Sequence, residues 1–233
     1  MLIVERLNSF YGRAHILRDL SFKVAAGQVL ALIGRNGAGK STTMKSIIGL
    51  VRPASGRIEF GGIDIVRLEV YRVARLGLAY VPEERRIFGE MTVRENLEVG
   101  RQSPRAGLRP WTPERVFGLF PNLGPLADRP GARISGGEQQ MLTMARSLMG
   151  NPRLILLDEP NEGLAPLIVE QVMAAIQTMK AEGVAIVLTG QNPRFATAVA
   201  DHAVVIEQGQ AVWQGSIAEL QADAVLPTRY PAI

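Results

Sequence analysis

The chain contains no cysteine, only two histidines, and aromatic residues at 6% of its length. Without cysteine it forms neither disulfide bonds nor thiolate metal sites. It also lacks any apolar run that approaches the ~20 residues a membrane-spanning helix requires. Residues 1–6 show no charged segment leading into a long apolar stretch, so we expect no signal peptide and a cytoplasmic location.

A strong excess of charge of one sign is lacking as well. The chain carries 26 Lys and Arg against 22 Asp and Glu, a formal net charge of +4. The tightest basic cluster is Arg85–Arg86, while Arg101, Arg105 and Arg109 share one predicted loop. We interpret these as solvated side chains and expect no nucleic-acid partner; contact with nucleic acid or anionic lipid is the alternative. With 233 residues, 47% of them hydrophobic, the chain suits one domain with a packed core.

The most informative segment is Gly34–Ser41, which matches the phosphate-binding pattern G-x-x-x-x-G-K-[ST]. The apolar run Val29–Ile33 before it predicts a strand, and the residues after it, to Ile48, predict a helix. The glycines let the loop turn and direct N–H groups to phosphate oxygens, while Lys40 reaches the β- and γ-phosphates and Ser41 holds Mg²⁺. A chance glycine-rich turn is the alternative. The predicted ATP-binding residues here are Gly34, Arg35, Asn36, Gly37, Ala38, Gly39, Lys40, Ser41 and Thr42.

A second candidate segment is Leu154–Leu157, followed by Asp158 and Glu159. Four apolar residues predict a strand covered on both faces, and the carboxyl end of such a strand is where α/β sheets place ligands. We expect Asp158 to bind Mg²⁺ or its waters, and Glu159 to orient and deprotonate the attacking water. A strand that ends in ordinary surface acids is the alternative.

The segment Ser135–Gln140 supports two interpretations. Ser135 followed by Glu138 is a capping-box pattern that opens a helix to about Met149. The two glycines between them also leave the helix N-terminus open to an anion.

Hydrophobic patterns elsewhere alternate between strands and helices. Strands are predicted at Leu2–Leu7, Ser21–Val24, Arg57–Phe60, Gly77–Val81, Val184–Thr189, His202–Ile206 and Gln210–Trp213, and helices at Leu68–Leu76, Thr92–Val99, Pro113–Phe120, Leu167–Glu182 and Pro193–Ala200. From Pro82 to about Ile134 the pattern changes to short helices among Pro- and Gly-rich loops. The chain is therefore predicted to be an α/β core interrupted by an all-helical insert.

Three segments together resemble, in order and spacing, the ATPase subunit of an ABC transporter. They are the phosphate-binding loop Gly34–Ser41 (the P-loop), the segment Ile134–Gln140 (the signature) and the strand that ends at Asp158. The resemblance covers nearly the whole chain. It implies a single domain with an α/β P-loop NTPase core of ABC type (about 1–81 and 135–233), an antiparallel β subdomain and a helical insert (about 82–134). It also implies that two subunits pair head to tail, so that one chain's signature binds the ATP held by the other's P-loop. The signature residues are Ser135, Gly136, Gly137 and Glu138.

Other site residues carry over from this resemblance by position, with departures. Tyr11 falls where the family stacks an aromatic ring on adenine, a core tyrosine being the alternative. Glu83 replaces the usual Q-loop glutamine; it still offers Mg²⁺ a ligand, but adds negative charge near the γ-phosphate. Ala165 replaces the usual D-loop aspartate. Gln191 replaces the switch histidine, as a neutral donor to the γ-phosphate.

The resemblance narrows to the LivF-type ATPase of branched-chain amino-acid importers, or of related importers of urea, amides and acids. It does so on four segments: Pro82–Phe88, Met91–Leu97, Gly163–Pro166 and Gln191–Asn192. Such a subunit lies at the cytoplasmic face of the plasma membrane, its insert docked on integral membrane permease subunits, and a solute-binding protein takes part indirectly. Its ATPase partner is normally a LivG-type chain, a homodimer being the alternative. Glu84 and Gly190 depart from the branch's usual glycine and glutamate.

Two other classes remain as hypotheses. A soluble ABC ATPase of DNA repair or translation usually carries two cassettes or a long coiled-coil insert, and neither is evident in this sequence. A regulatory nucleotide-binding module with little hydrolysis is favoured by Gln191 and disfavoured by Glu159.

Overall fold

The chain folds around two β-sheets, in a computed structural model that describes residues 1–191 and 193–222. Asn192 and residues 223–233, which the predicted core range includes, lie outside the described residues. The first sheet is antiparallel and consists, in spatial order, of β2 (Ala14–Val24), β1 (Leu2–Tyr11), β4 (Ser55–Phe60) and β5 (Ile63–Asp64).

The second sheet is mostly parallel. It consists, in spatial order, of β10 (Gln210–Ser216), β9 (His202–Glu207), β3 (Val29–Ile33), β8 (Ala185–Gly190), β7 (Leu154–Leu157) and β6 (Leu78–Val81). Neighbouring strands are parallel except β9 and β10, which form a hairpin around Gln208 and Gly209.

Helices cover this framework. Those in the described part of the chain are α1 (Lys40–Ile48), α2 (Val70–Leu76), α3 (Val93–Gly100), α4 (Pro113–Leu119), α5 (Gly136–Leu148), α6 (Pro166–Ala181), α7 (Pro193–Val199) and α8 (Ile217–Ala222), with 3₁₀ turns at Pro121–Leu126 and Gly131–Arg133. Among the described residues, no helix is long and apolar enough to cross a membrane.

The parallel sheet is buried on both faces, as its continuous apolar strands predict. On β3, Val29, Ala31 and Ile33 belong to one core with α5, α6 and α7. Leu30 and Leu32 belong to the other core, which the antiparallel sheet and α1 complete. Because packing fixes these strands from both sides, the loops that leave their carboxyl ends start from well-defined positions.

Residues 82–134, all of which are described, contain α3, α4 and the two 3₁₀ turns but no strand of either sheet. One isolated bridge joins Thr92 and Pro130. Where this segment meets the end of α6, Nη2 of Arg115 lies 2.7 Å from Oε1 of Glu182. Both side chains are partly exposed, so this ion pair contributes little to stability. It links the segment to the core without strongly opposing a movement of the segment relative to the core.

The first two strands are longer than the sequence pattern predicts. β1 continues to Tyr11 and β2 begins at Ala14. Register shifts interrupt their pairing, and Arg6 and Asp19 have positive φ angles of 46° and 50° within them. Such bulges shift the alternation of apolar and polar residues, so the sequence pattern identifies only part of each strand. β5 and α8 were not predicted, since both are too short to show a period.

Candidate nucleotide-binding site

A cleft of about 410 Å³ lies at the carboxyl edge of the parallel sheet, where the loops after β3, β7 and β8 converge. Carboxyl ends of parallel strands meet at one edge, so the P-loop and the acids after β7 lie together. The predicted residues that line this cleft are Tyr11, Asn36, Gly37, Gly39, Lys40, Ser41, Thr42, Glu83, Glu159 and Gln191. Ile16 and Glu162 line it as well, and neither was predicted.

The P-loop backbone requires glycine at two positions. Gly37 and Gly39 have φ angles of 79° and 110°, a region that favours glycine. A Cβ on Gly39 would also lie only 2.8 Å from Cδ2 of Leu17. Helix α1 begins directly afterwards at Lys40, so its free N–H groups and the positive end of its dipole lie at the cleft.

Lys40 is held at the floor of the cleft by oxygen atoms. Its ammonium donates to the carbonyl oxygens of Gly34, at 2.9 Å, and Arg35, at 3.3 Å, and lies 3.1 Å from Oε1 of Glu159. Ala38 closes the loop by donating its N–H to the Arg35 oxygen at 3.1 Å. The side chain of Lys40 is only 5% exposed, so its charge is compensated inside the protein rather than by water.

Asp158 is buried and accepts three hydroxyl hydrogen bonds. Ser41 and Thr189 donate to its Oδ1, at 3.0 and 2.8 Å, and Tyr80 donates to its Oδ2 at 3.0 Å. Burial, followed by the charge of Asp158, raises the pKa of Tyr80, so the phenol keeps its proton and acts as the donor. These bonds satisfy the buried carboxylate and fix its orientation.

Glu159 has a strained backbone and a buried carboxylate. Its φ angle is 48°, which non-glycine residues rarely adopt, and its N–H donates to Oγ1 of Thr189 at 2.8 Å. Burial raises the pKa of Glu159, and the neighbouring Lys40 lowers it in part. Strain and a perturbed acid on the wall of a cleft are typical of a functional site.

Glu83 is an exposed acid on the cleft wall. Desolvation, and then the charges of Glu162 and Asp158, raise its pKa. Residues 1–191 and 193–222 contain no group of three His, Cys, Asp or Glu that could hold a metal ion, so a metal here depends on other oxygens as well. Mg²⁺ takes one or two carboxylates together with hydroxyl, water and phosphate oxygens, and Ser41, Asp158 and Glu83 offer ligands of this kind.

Tyr11 and Gln191 reach the cleft from strands of the two different sheets. Tyr11 ends β1 and is 49% exposed, so its alternative interpretation as a core tyrosine is wrong. The preceding Phe10 stacks on His15 with ring centroids 4.1 Å apart, which stabilises the hairpin that carries Tyr11. Gln191 follows β8 and is exposed at the cleft.

The segment that opens α5 forms the predicted capping box. Ser135 donates its N–H to Oε2 of Glu138 at 2.6 Å, and the N–H of Glu138 donates to Oγ of Ser135 at 3.3 Å. Gly136 and Gly137 form the first turn, and a Cβ on Gly136 would lie 2.6 Å from Nη1 of Arg85. These four residues are absent from the lining of the P-loop cleft in the described part of the chain, so they do not meet it within one subunit.

Four residues at the site escaped the sequence analysis, and one of them, Ile16, comes from the antiparallel strand β2. Thr189 and Tyr80 come from strand ends beside β7, and Glu162 comes from the turn after Glu159. The order of strands in the sheet was the missing signal, because it determines which strand ends surround Asp158. A topology placing β6 and β8 on either side of β7 identifies Thr189 and Tyr80.

The sequence profile of the ABC transporter family matches residues 17–162. The chain is 40% identical over 220 residues to BraG of Pseudomonas aeruginosa, a high-affinity branched-chain amino acid transport ATP-binding protein, covering 94% of each chain. It is 32% identical to a probable branched-chain amino acid transport ATP-binding protein LivF of Archaeoglobus fulgidus, again covering 94% of each.

Similarity extends to another transport system. The lipopolysaccharide export system ATP-binding protein LptB of Acidithiobacillus ferridurans is 34% identical over 231 residues, covering 99% of this chain and 96% of LptB. Among solved structures, MJ1267, an ATP-binding cassette of an ABC transporter, has a TM-score of 0.84 at 28% identity, covering 98% of this chain and 96% of that one.

Proposed function

The chain belongs to the ABC transporter family as an ATP-binding, ATP-hydrolysing subunit, and we propose that it powers an importer of branched-chain amino acids or a related small solute. The observation that carries this proposal is the 40% identity to BraG over 94% of both chains. The similarity to LivF supports the same solute class, and the LivF-type resemblance of the sequence agrees with it.

The geometry of the cleft supports a specific division of roles. Lys40 and the N–H groups of the P-loop bind the β- and γ-phosphates, and Tyr11 stacks on the adenine ring. Glu159 is the general base for the attacking water, since its buried carboxylate has a raised pKa at the cleft wall. When bound, Mg²⁺ neutralises charge on the phosphates, with Ser41, Asp158 and Glu83 as the residues that hold it.

The working unit in this proposal contains two ATPase subunits paired head to tail. Ser135, Gly136 and Gly137, with Glu138, bind the γ-phosphate of a nucleotide on the partner's P-loop. This assignment is supported by two observations: these four residues open α5, whose N-terminus suits an anion, and among the described residues they do not line the chain's own cleft. The partner is a LivG-type chain, with a homodimer as the alternative arrangement.

Permease subunits are proposed to dock on an apolar groove that residues 82–134 help to line. This docking groove, of about 600 Å³, lies between α2, α3 and β6. Four large hydrophobic side chains lining it are 45–54% exposed: Leu50, Tyr71, Phe88 and Val99. Arg75 and Arg146 also line it, so a permease segment with apolar and acidic residues complements it. Docking there places the chain peripherally at the cytoplasmic face of the membrane.

A second candidate function is the export of lipopolysaccharide, which the similarity to LptB favours. Uptake and export assemblies differ in their membrane subunits, so the decisive experiment begins with the permease subunits that co-purify with this chain. The purified complex and its solute-binding protein are reconstituted in vesicles, with ATP and an ATP-regenerating system on the side of the membrane where this subunit lies.

Radiolabelled leucine, isoleucine and valine, with urea as a comparison, are then supplied on the opposite side. We expect ATP-dependent uptake of the amino acids, and none in a matched complex carrying Glu159→Gln. Co-purification with export subunits would overturn the proposed import, and uptake of urea alone would exclude the branched-chain amino acids and leave the related small solutes. ATP hydrolysis with no membrane partner would favour a soluble ABC ATPase, and nucleotide binding without turnover in the complex would favour a regulatory module.

A further inference from the structure

Tyr80 lies between the nucleotide cleft and the docking groove. The residue is half-buried on β6 and is one of the residues that line the groove. Its hydroxyl donates to Oδ2 of Asp158 at 3.0 Å. Tyr80 therefore belongs to the lining of the surface proposed to receive the permease, and its hydroxyl bonds to the carboxylate proposed to hold Mg²⁺.

Strand register explains how Tyr80 reaches Asp158. Tyr80 is paired with Leu156 on the neighbouring parallel strand β7. Because side chains alternate along a strand, Leu156 and Asp158, two residues apart, lie on the same face. The tyrosine side chain is long enough to extend from its position opposite Leu156 to Asp158, so its hydroxyl oxygen lies at the carboxyl end of β7.

The hydrogen bond from Tyr80 falls on the oxygen that the other two donors leave free. Ser41 and Thr189 both donate to Oδ1, whereas Tyr80 donates to Oδ2. The terminal torsion of aspartate is broad, so bonds at one oxygen alone leave the plane of the carboxylate weakly defined. Bonds at both oxygens define that plane, and it determines where the remaining lone pairs point.

We propose that Tyr80 is a positioning residue that sets the carboxylate plane of Asp158 for Mg²⁺ and transmits occupancy of the docking groove to it. Residues that orient a metal ligand by hydrogen bonding tune its affinity for the metal. A permease segment pressing on the ring moves the hydroxyl, because the phenol is rigid beyond its two torsions. Both halves of this inference rest on the proposed function: the docking half on the permease partner, and the metal half on the Mg²⁺ role of Asp158 together with the hydrogen bond from Tyr80.

The metal half is tested on the isolated chain with Tyr80→Phe, which removes the hydroxyl and keeps the ring. The probe is Mn²⁺, followed by its paramagnetic signal in the presence of a non-hydrolysable ATP analogue. Loss of a residue that orients a metal ligand typically costs 10- to 100-fold in metal affinity, and we expect a loss of about 10-fold here. Binding of the analogue in EDTA should stay within about twofold of wild type, since Tyr80 does not line the nucleotide cleft.

Tyr71→Phe is the matched control, because Tyr71 lines the same groove but its hydroxyl accepts from Nε of Arg72 instead of reaching Asp158. It should leave the affinity of the isolated chain for Mn²⁺ unchanged. Equal Mn²⁺ affinity in Tyr80→Phe and wild type would overturn the proposal. An equal loss of analogue binding with and without metal would also overturn it, because that result indicates general damage to the cleft.

The docking half is tested by measuring the same Mn²⁺ affinity before and after assembly with the permease subunits. We expect assembly to shift the affinity of the wild-type chain and to leave that of Tyr80→Phe unshifted. An identical shift in both proteins would overturn the coupling. If the wild-type chain binds no permease subunit, the proposed function and the docking half both fail, whereas the result on the isolated chain still decides the metal half.

Discussion

Lys40 and Glu159 form an ion pair on the floor of the nucleotide cleft, with Nζ and Oε1 3.1 Å apart and exposures of only 5% and 7%. The carboxylate of Glu159 thus sits beside the ammonium that we expect to bind phosphate. We therefore expect nucleotide binding to exchange one anion for another at Lys40. The same exchange should release Glu159 to meet a water molecule, which would couple arrival of the γ-phosphate to readiness of the base.

Lys40→Ala should abolish high-affinity ATP binding, because it removes the cation at the phosphate position. It should also destabilise the protein, since removing one partner of a buried ion pair typically costs about 3–5 kcal/mol. Protonation of Glu159 reduces that cost, because burial already raises its pKa. Calorimetric titration with ATP and thermal unfolding measure the two effects. Undiminished ATP affinity and turnover in this variant would contradict the assignment of the P-loop.

Glu159→Gln should bind ATP at least as well as wild type, yet turn over about 10²–10⁴-fold more slowly, the usual range for loss of a general base. Binding is retained because glutamine competes less strongly than glutamate for Lys40. A closed dimer should accumulate with ATP, detectable by size-exclusion chromatography. The matched control is Glu162→Gln, which removes an acid from the same cleft without breaking the ion pair. Near-normal hydrolysis by the assembled Glu159→Gln complex would rule out this residue as the base.

On the acidic side of the pH–activity profile, the change in kcat/KM should follow the titration of Glu159. Burial raises its pKa above the ordinary value of 4.5. A base must be deprotonated, so kcat/KM, which reflects the free enzyme, should rise with pH through that raised pKa. A raised folded pKa means that the folded state binds the proton more tightly, so the contribution of Glu159 to stability falls as pH rises from 4.5 through that pKa. Glu159→Gln should flatten the stability profile across this window, and an unchanged profile would show that another group titrates.

Much of this fold follows from sequence patterns alone. The strands β3 and β7 were predicted with their observed bounds, because each is a continuous apolar run bounded by a glycine or an acid. The bulges at Arg6 and Asp19 were not predicted, since a local change of register leaves no periodic signal. The capping box at Ser135 was predicted correctly because it depends only on residues three positions apart.

The contacts within the site were less predictable than its composition. The P-loop and the acids after β7 were expected at one sheet edge, since parallel strands share that edge. The pairing of Lys40 with Glu159 and the hydrogen bond of Tyr80 to Asp158 depend on strand order and on side-chain torsions. A sequence motif determines neither strand order nor side-chain torsions, so both contacts are visible only in the structure.

Single cysteines at Phe88 or Met91 should cross-link to a cysteine in a cytoplasmic loop of a permease subunit. The native chain has no cysteine, so each introduced thiol is unambiguous. Phe88 is 45% exposed in the docking groove, and Met91 is 38% exposed close by. Ile63→Cys is the control, because Ile63 is equally exposed at 45% but lies on the edge strand β5. Efficient cross-linking at position 63, with none at 88 or 91, would place the interface elsewhere.

Gln191 should make the site built on this chain's own P-loop the slower of the two sites in a complex. Phosphoryl transfer gathers negative charge on the γ-phosphate oxygens, and preorganised donors there lower the barrier. Charge-assisted hydrogen bonds are roughly twice as strong as neutral ones, so a cationic histidine stabilises this charge better than an amide does. The other charges at the cleft should slow this site further, because in the described part of the chain three glutamates, Glu83, Glu159 and Glu162, line it alongside one lysine.

Gln191→His should therefore raise the turnover of the isolated chain, by about 10-fold if the added charge contributes about 1.4 kcal/mol to the transition state. In a complex with a LivG-type subunit, most turnover should come from the site on the partner's P-loop, which uses Ser135 to Gly137 of this chain. Replacing Glu159 here, and separately the matching glutamate of the partner, compares the two sites directly in a steady-state ATPase assay. The partner's replacement should cause the greater loss, because it disables the faster site. Equal losses from the two replacements, or brisk hydrolysis by this chain alone, would refute the asymmetry.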